Sequence, residues 1–117
     1  MNDSNFKAER RHQRALQRLG TDHPMCACCT EDDPLSLELH HLQGQKFGDD
    51  LIAVCRNCHR KLSDAQKDHP DQQGMGVTTA ECIGHFLLGL ADLLKLLASK
   101  LKQFGQQLID LASGTPA

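Results

Sequence analysis

Hydrophobic positions along the chain form a mixed middle section and a strongly periodic C-terminal third. Residues 35–40 alternate apolar and polar side chains, which is typical of a half-buried strand, and residues 51–54 form a short apolar run suited to a second strand. Residues 58–68 contain no helix breaker and end before Pro70, which favours a helix. The middle of the chain therefore predicts the order strand, strand, helix.

The C-terminal third predicts one long helix with a single apolar seam. Thr78 and Glu81 have the spacing of a capping box, in which each side chain satisfies a backbone amide at the start of a helix. Apolar residues then follow in steps of four and three: Ile83, Leu87, Leu90, Leu94, Leu97, Leu101, Phe104, Leu108 and Leu111. This is the heptad spacing of a coiled coil.

The apolar seam is longer than its own domain can cover, so part of it needs a partner. Its flank on one side carries only small residues: Gly84, Ala91, Ala98, Gly105 and Ala112. A helix of about 34 residues is about 50 Å long, more than a domain of this size covers. We therefore expect a homodimer through residues 83–111, with packing on its own domain as the alternative, and the direction of pairing stays open. No membrane span is expected, because charges such as Asp92 and Lys95 interrupt the apolar run.

The N-terminal segment predicts a short basic helix. Residues 5–19 lack Pro and Gly and contain five cations: Lys7, Arg10, Arg11, Arg14 and Arg18. Such a run is either a solvated helix face or an arm that contacts phosphates. The α+β chain is thus predicted to divide into a basic helix at 1–22, a central domain at 23–70, a linker at 71–77 and a long amphipathic helix at 78–113.

Composition favours a small folded domain built around a metal. The 117 residues are 39% hydrophobic and 24% charged, which excludes disorder throughout. They include six cysteines and seven histidines but four Phe and neither Tyr nor Trp, so little aromatic bulk is available for a core or for stacking on bases. With a net charge of −2, nucleic-acid binding needs locally clustered cations.

The expected location is the cytoplasm. The cysteines fall in close pairs, which suit thiolate ligands in a reducing compartment, and residues 1–7 show no signal-peptide pattern.

Two Cys-x-x-Cys pairs predict a structural zinc site. Cys26 and Cys29 form one pair, and Cys55 and Cys58 form the other. Turns with this spacing each offer two thiolates to one tetrahedral zinc, and four thiolates close its coordination sphere. The zinc is therefore expected to be structural, with Cys28 outside the ligand set.

A second group of potential ligands surrounds the predicted hairpin. His40 and His41 end the first strand, Asp50 precedes the second, and His59 begins the helix. In a hairpin followed by a helix these positions can converge on one small pocket. Its imidazole and carboxylate groups suit a hard divalent metal.

The order and spacing of these residues resemble the HNH nucleases of the ββα-metal fold, in the subgroup with a four-cysteine zinc knuckle. The resemblance covers residues 26 to about 66. It rests on three motifs: Cys26-x-x-Cys29, Leu39-His-His-Leu42 and Asp50-Leu-Ile-Ala-Val-Cys-Arg-Asn-Cys-His59. It implies a small zinc-stabilised ββα-metal domain that hydrolyses DNA phosphodiester bonds as a metal-dependent endonuclease.

By this resemblance each site residue has one role. His41 is the general base that deprotonates a water molecule, and an ordinary imidazole is partly neutral at cellular pH, as this role requires. His40, Asp50 and His59 hold one magnesium or manganese ion, which stabilises the leaving oxygen. The family most often has Asn at the position of Asp50, and its last histidine is replaced by Ser63, which leaves at most three protein ligands for the metal.

Four cations lie close to this pocket in sequence and are candidates for phosphate contact: Lys46, Arg56, Arg60 and Lys61. A DNA endonuclease is therefore the favoured hypothesis. One alternative is a catalytically inactive, zinc-stabilised nucleic-acid or protein interaction module that dimerises through the C-terminal helix. Another is a redox or metal sensor that uses Cys28 and Cys82 as free thiols.

Overall fold

The computed structural model describes residues 3–114 and contains three α-helices and one two-stranded antiparallel sheet. The elements are α1 (Asp3–Leu19), a 3-10 turn (Pro34–Ser36), β1 (Leu37–His41), β2 (Leu51–Cys55), α2 (Arg56–Gln66) and α3 (Thr79–Ala112). The predicted α+β class and the order strand, strand, helix are confirmed.

Helix α1 is held to the rest of the domain by its C-terminal end. It ends at Leu19 because Gly20 adopts a positive φ of 74°, the left-handed conformation that favours glycine after a helix. Ala15 is its buried residue, and Nη2 of Arg18 donates a hydrogen bond of 2.9 Å to the carbonyl oxygen of Leu37. Arg18 therefore anchors α1 to β1, while the cations of the preceding turns remain exposed.

Strand β1 begins two residues later than the alternating pattern predicts. Asp33 caps the 3-10 turn, where its carboxylate accepts a hydrogen bond of 3.0 Å from the backbone N–H of Leu35. This turn withdraws residues 34–36 from the sheet. From Leu37 onward β1 pairs antiparallel with β2, and His41 lies opposite Leu51 at the end of the hairpin next to the connecting loop.

The buried core is small and rich in sulfur. It consists of Cys26, Cys28, Leu37, Val54, Cys58 and Leu62, with partly buried side chains such as Leu93 and Leu96 of α3 packed against it. Half of these six residues are cysteines, so apolar burial is limited. A domain with so little core needs an additional stabilising element such as a bound metal.

Helix α3 packs on the domain with its N-terminal half. The predicted capping box of Thr78 and Glu81 is present at its start. His85 and Gly89 are buried in the contact, and a Cβ at Gly89 would overlap the carbonyl oxygen of Leu42. Residues 101–109 are all exposed. By length and composition α3 can cross a membrane, and 11% of its most apolar stretch is buried, so the expected absence of a membrane span stays a prediction.

Two histidines join α3 to the connecting segments. Nε2 of His69 lies 2.7 Å from Oδ2 of Asp92, and both side chains are largely buried. The ring of His85 stacks on Phe47 with centroids 3.6 Å apart and an interplanar angle of 5°. These contacts fix α3 against the loop between β1 and β2 and against the segment that follows α2.

Two glycines of α3 provide a matched test of this packing. We expect Gly89→Ala to destabilise the fold by about 1–3 kcal/mol, because the new methyl group overlaps backbone. Gly84 has open space around it, so Gly84→Ala should be neutral or stabilising by up to about 1 kcal/mol through helix propensity. Thermal unfolding followed by circular dichroism measures both. Equal stability of Gly89→Ala and the wild type would contradict the described packing.

Candidate metal centre and active site

Four cysteines from three segments form a group positioned to hold a metal ion. Cys26 and Cys29 lie in the loop before the 3-10 turn, Cys55 ends β2 and Cys58 lies in the first turn of α2. Their Sγ atoms all lie within 4.8 Å of one another, and those of Cys29 and Cys55 are 3.8 Å apart. A tetrahedron with metal–sulfur bonds of about 2.3 Å has sulfur–sulfur edges of about 3.8 Å. The predicted convergence of these four cysteines is confirmed, and their spacing suits a metal ion.

Backbone geometry brings these sulfurs together. The loop is attached to β2 by the N–H of Ala27, which donates to the carbonyl of Ala53 at 2.8 Å. Sγ of Cys26 accepts hydrogen bonds from the backbone N–H of Cys28 at 3.4 Å and from that of Cys55 at 3.2 Å. Sγ of Cys55, the N-cap of α2, accepts the N–H of Cys58 at 3.5 Å. Such amide donors stabilise negative charge on ligating sulfur.

The thiol pKa values reflect this environment. Burial raises the pKa of Cys26, but hydrogen bonds from the backbone of Cys55 and Cys28 and from Cys29 together lower that pKa to about 7. Burial and the neighbouring thiols raise the pKa of Cys58, and burial also raises that of Cys29. Four thiolates this close require a cation between them, which is the function of a metal in such a group.

Cys28 lies outside the group of four. It is 3% exposed and belongs to the core. Burial and the nearby Cys26 raise its pKa to about 11, so its thiol is neutral at physiological pH. Cys28 therefore packs as a small apolar side chain.

The hairpin and α2 bring His40 and His59 together. Successive side chains of a strand point to opposite faces, so Glu38 and His40 project from the same face of β1 and His41 projects from the other. His40 is 3% exposed, and its ring lies edge-on to that of His59 with centroids 5.2 Å apart. These two predicted metal ligands are therefore neighbours in the fold.

His40 is neutral near pH 7. Burial, followed by the charges of His59 and His41, lowers the pKa of His40 to about 4. Its Nε2 lies 3.3 Å from Nε2 of Gln66. Because an amide nitrogen only donates, the imidazole nitrogen accepts this hydrogen bond. A neutral imidazole is the form that binds metals, and a metal bound through Nε2 would take the place of this hydrogen bond.

Sequence reasoning missed two residues of this site. Gln66 also donates to the carbonyl oxygen of His41 at 2.7 Å, which fixes the end of α2 against the end of β1. Oε1 of Glu38 lies 3.6 Å from Nδ1 of His59. Both residues could have been found from their spacing to the predicted ligands. Glu38 precedes His40 by two residues and therefore shares its face of the strand, and Gln66 follows His59 by two turns and therefore shares its face of the helix.

Asp50 has a different partner. Nε2 of Gln43 donates to Oδ2 of Asp50 at 2.6 Å, and Oε1 of Gln43 is buried without a hydrogen-bond partner among the described residues. A Cβ at Gly48 would overlap the Gln43 amide, so this glycine makes room for the contact.

Within residues 3–114, only the four cysteines form a group of three or more ligands close enough to share an ion. The carboxylate of Asp50 does not join His40 and His59 at direct bonding distance.

The candidate phosphate contacts are all on the surface. Lys46, Arg56, Arg60 and Lys61 are exposed, and none forms an ion pair with a residue in the described part of the chain. Arg56, Arg60 and Lys61 belong to α2, the helix that carries His59. Their charges are available to an anionic partner.

Comparisons with known proteins assign no family to this arrangement. No protein-family model, no curated protein and no solved structure matches the chain.

Proposed function

We propose that the protein is a metal-dependent DNA endonuclease of the HNH type, with a structural zinc ion bound by the four cysteines. The observation that carries this proposal is the placement of His40 and His59. Their rings meet edge-on between β1 and α2, and His59 directly follows Cys58 of the four-cysteine group in sequence. The thiolate ligands suit a reducing compartment, and we therefore propose a cytoplasmic location.

In this proposal His40, His59 and Asp50 hold one magnesium or manganese ion. Asp50 is exposed, and its Oδ1 accepts no hydrogen bond from the described residues, so it is available to a hydrated cation. Magnesium keeps several of its waters when it binds protein carboxylates, so direct contact with all three side chains is not required. When bound, the ion would stabilise the negative charge that develops on the phosphate and the departing oxygen.

His41 is the proposed general base. Its side chain is partly exposed to water, and it lies close enough to buried His40 for its charge to contribute to the lowered pKa of that residue. Gln66 holds the backbone of His41 through its carbonyl oxygen. In the proposed reaction His41 accepts a proton from the water molecule that attacks the phosphorus atom.

Exposed cations supply the proposed contact with DNA. The four exposed candidates near the hairpin, Lys46, Arg56, Arg60 and Lys61, would pair with phosphates on either side of the scissile bond. Binding through phosphates releases counterions, so affinity for DNA should fall as salt increases. With a net charge of −2 for the chain, the three exposed cations that share α2, Arg56, Arg60 and Lys61, are what supports an anionic partner.

The residue Ser63 offers a gain-of-function test of the metal site. It lies one turn after His59 on the face of α2 that carries His59 and Gln66 toward β1. We expect Ser63→His to add a ligand and to lower the Kd for manganese by about tenfold, equivalent to roughly 1.4 kcal/mol. Calorimetric titration of the zinc-loaded protein measures this. The next residue, Asp64, is exposed and provides the matched control as Asp64→His, for which an equal gain would contradict the assignment.

One observation favours a second candidate function, an interaction module without catalysis. The contact between Gln43 and Asp50 holds one carboxylate oxygen away from the two histidines. A module of this kind would keep the zinc and bind nucleic acid or protein without cleaving DNA.

Cleavage of labelled DNA tests the proposal against this alternative. Zinc-loaded protein is incubated with single-stranded, duplex and branched oligonucleotides while manganese or magnesium is titrated. The nuclease proposal expects cleavage that rises with the divalent metal and stops with its removal. Binding of DNA with no cleavage of any substrate would favour the interaction module.

A further inference from the structure

The seam of α3, defined by the nine apolar residues from Ile83 to Leu111 named above, is largely uncovered. Leu101 is 69% exposed, Leu108 is 67% exposed and Leu111 is 64% exposed. In the N-terminal half, Ile83 and Leu87 are also more than half exposed. A row of exposed large apolar side chains along one helix marks an interaction surface.

Most of the contact between α3 and the domain is made by a different face of the helix. The buried positions are His85 and Gly89, and Asp92 and Leu96 continue the same stripe by steps of three and four. The seam follows its own steps around another side of the helix. Leu97 is a seam residue that packs against the core, but seven of the nine seam residues have exposed side chains, so packing on the domain does not account for most of the seam.

The glycines of α3 distinguish these two faces. Gly89 is explained by the Leu42 backbone against which it packs. Gly84 and Gly105 have nothing within 4 Å of an added Cβ, although a glycine inside a helix costs about 1 kcal/mol relative to alanine. They lie three heptads apart on the same flank of the seam, where a closely packed second helix would leave room only for small side chains such as glycine and alanine.

The charges of α3 lie away from the seam. Asp92, Lys95, Lys102 and Asp110 fall outside the steps of four and three, and Lys100 is the charged residue nearest to the seam positions. A helix packs against a second helix of the same period through an apolar strip that no charged residue interrupts.

We infer that the seam is occupied by the seam of a second copy of this chain, which forms a homodimer through residues 83–111. An identical helix matches a seven-residue repeat along its whole length, so each apolar side chain meets a gap of the same period. A lipid surface requires an apolar face but neither this strict period nor glycines beside it. The dimer does not depend on nuclease activity, and its test uses no DNA.

Two neighbouring residues give a matched test of the dimer. Leu108 belongs to the seam, whereas Ile109 lies outside it and is 63% exposed. The mass of the zinc-loaded full chain is measured over a range of concentrations by sedimentation equilibrium. We expect a mass of about twice 12.9 kDa for the wild type and an increase in the dimer Kd of about tenfold or more for Leu108→Glu. Ile109→Glu should change the Kd by less than about twofold. Circular dichroism and zinc content verify the fold of each variant.

A third variant separates a helix partner from a lipid surface. Gly105→Leu adds an apolar side chain to the flank of the seam, which should weaken the dimer by preventing close approach of the helices but strengthen binding to vesicles of neutral or anionic lipid. A wild type that is monomeric at every concentration would overturn the inference. Equal effects of Leu108→Glu and Ile109→Glu, or vesicle binding by a monomer that Gly105→Leu strengthens, would also overturn it.

Discussion

Replacing Cys29 with alanine is expected to abolish metal binding and unfold the central domain, whereas Cys28→Ala should retain one zinc ion. Cys29 belongs to the group of four sulfurs, and its Sγ lies 3.8 Å from that of Cys55. Cys28 is its neighbour in sequence but packs in the core with a neutral thiol. The two substitutions remove the same atom from adjacent positions, so their difference isolates the metal.

The size of the expected effect follows from the small core. A structural zinc contributes about 10–16 kcal/mol to the folding of a small zinc-binding domain, while total stabilities are about 5–15 kcal/mol. With six residues in the buried cluster, three of them cysteines, the hairpin has little apolar burial to replace that contribution. Cys28→Ala should cost about 1–3 kcal/mol, as for other truncations of small buried side chains.

Metal analysis and amide hydrogen exchange are the appropriate measurements. The chain contains neither Trp nor Tyr, so intrinsic fluorescence does not report on its fold. Residues of β1 and β2 should exchange rapidly in Cys29→Ala or after zinc is removed by a chelator. A Cys29→Ala protein that keeps protected strands without zinc would contradict the structural role of the metal.

His41→Ala is expected to reduce DNA cleavage by about 10²–10⁴-fold, the usual contribution of a general base. The fold should be unaffected, because the side chain is partly exposed and the contact with Gln66 uses the backbone carbonyl, which alanine retains. Zinc content should also be unchanged. A loss of activity without a loss of fold or zinc is the signature of a catalytic role.

His23→Ala provides the control for this substitution. His23 is exposed and lies outside the hairpin and α2. Cleavage rates are measured with enzyme in excess over labelled DNA, so that one turnover is followed. Activity retained by His41→Ala at the level of His23→Ala would remove His41 from the mechanism.

The parts of the fold that were predictable from sequence are those with a local period or a fixed spacing. The four-cysteine group follows from two Cys-x-x-Cys spacings, and the structure brings Cys26 and Cys29 to Cys55 and Cys58. Alternation and apolar runs indicated the hairpin, and a capping box marked the start of α3. In each case the signal lies within a few residues along the chain.

Contacts between distant segments had no such signal. Gln66 reaches His40 across 26 residues and His69 reaches Asp92 across 23, and no local pattern relates either pair. The partner of Asp50, Gln43, is seven residues away across a hairpin loop whose shape the sequence does not specify. Such pairs depend on how elements pack, which periodicity alone does not determine.

The most direct test of the proposed nuclease is nicking of supercoiled plasmid DNA, because a single broken phosphodiester bond relaxes the whole molecule. Zinc-loaded wild-type protein and His41→Ala, each with verified fold and zinc content, are incubated with the plasmid and manganese, with and without a chelator. We expect nicking by the wild type that requires manganese and is lost in His41→Ala. No nicking by the folded, zinc-loaded wild type, or nicking that persists in His41→Ala, would contradict the proposed function.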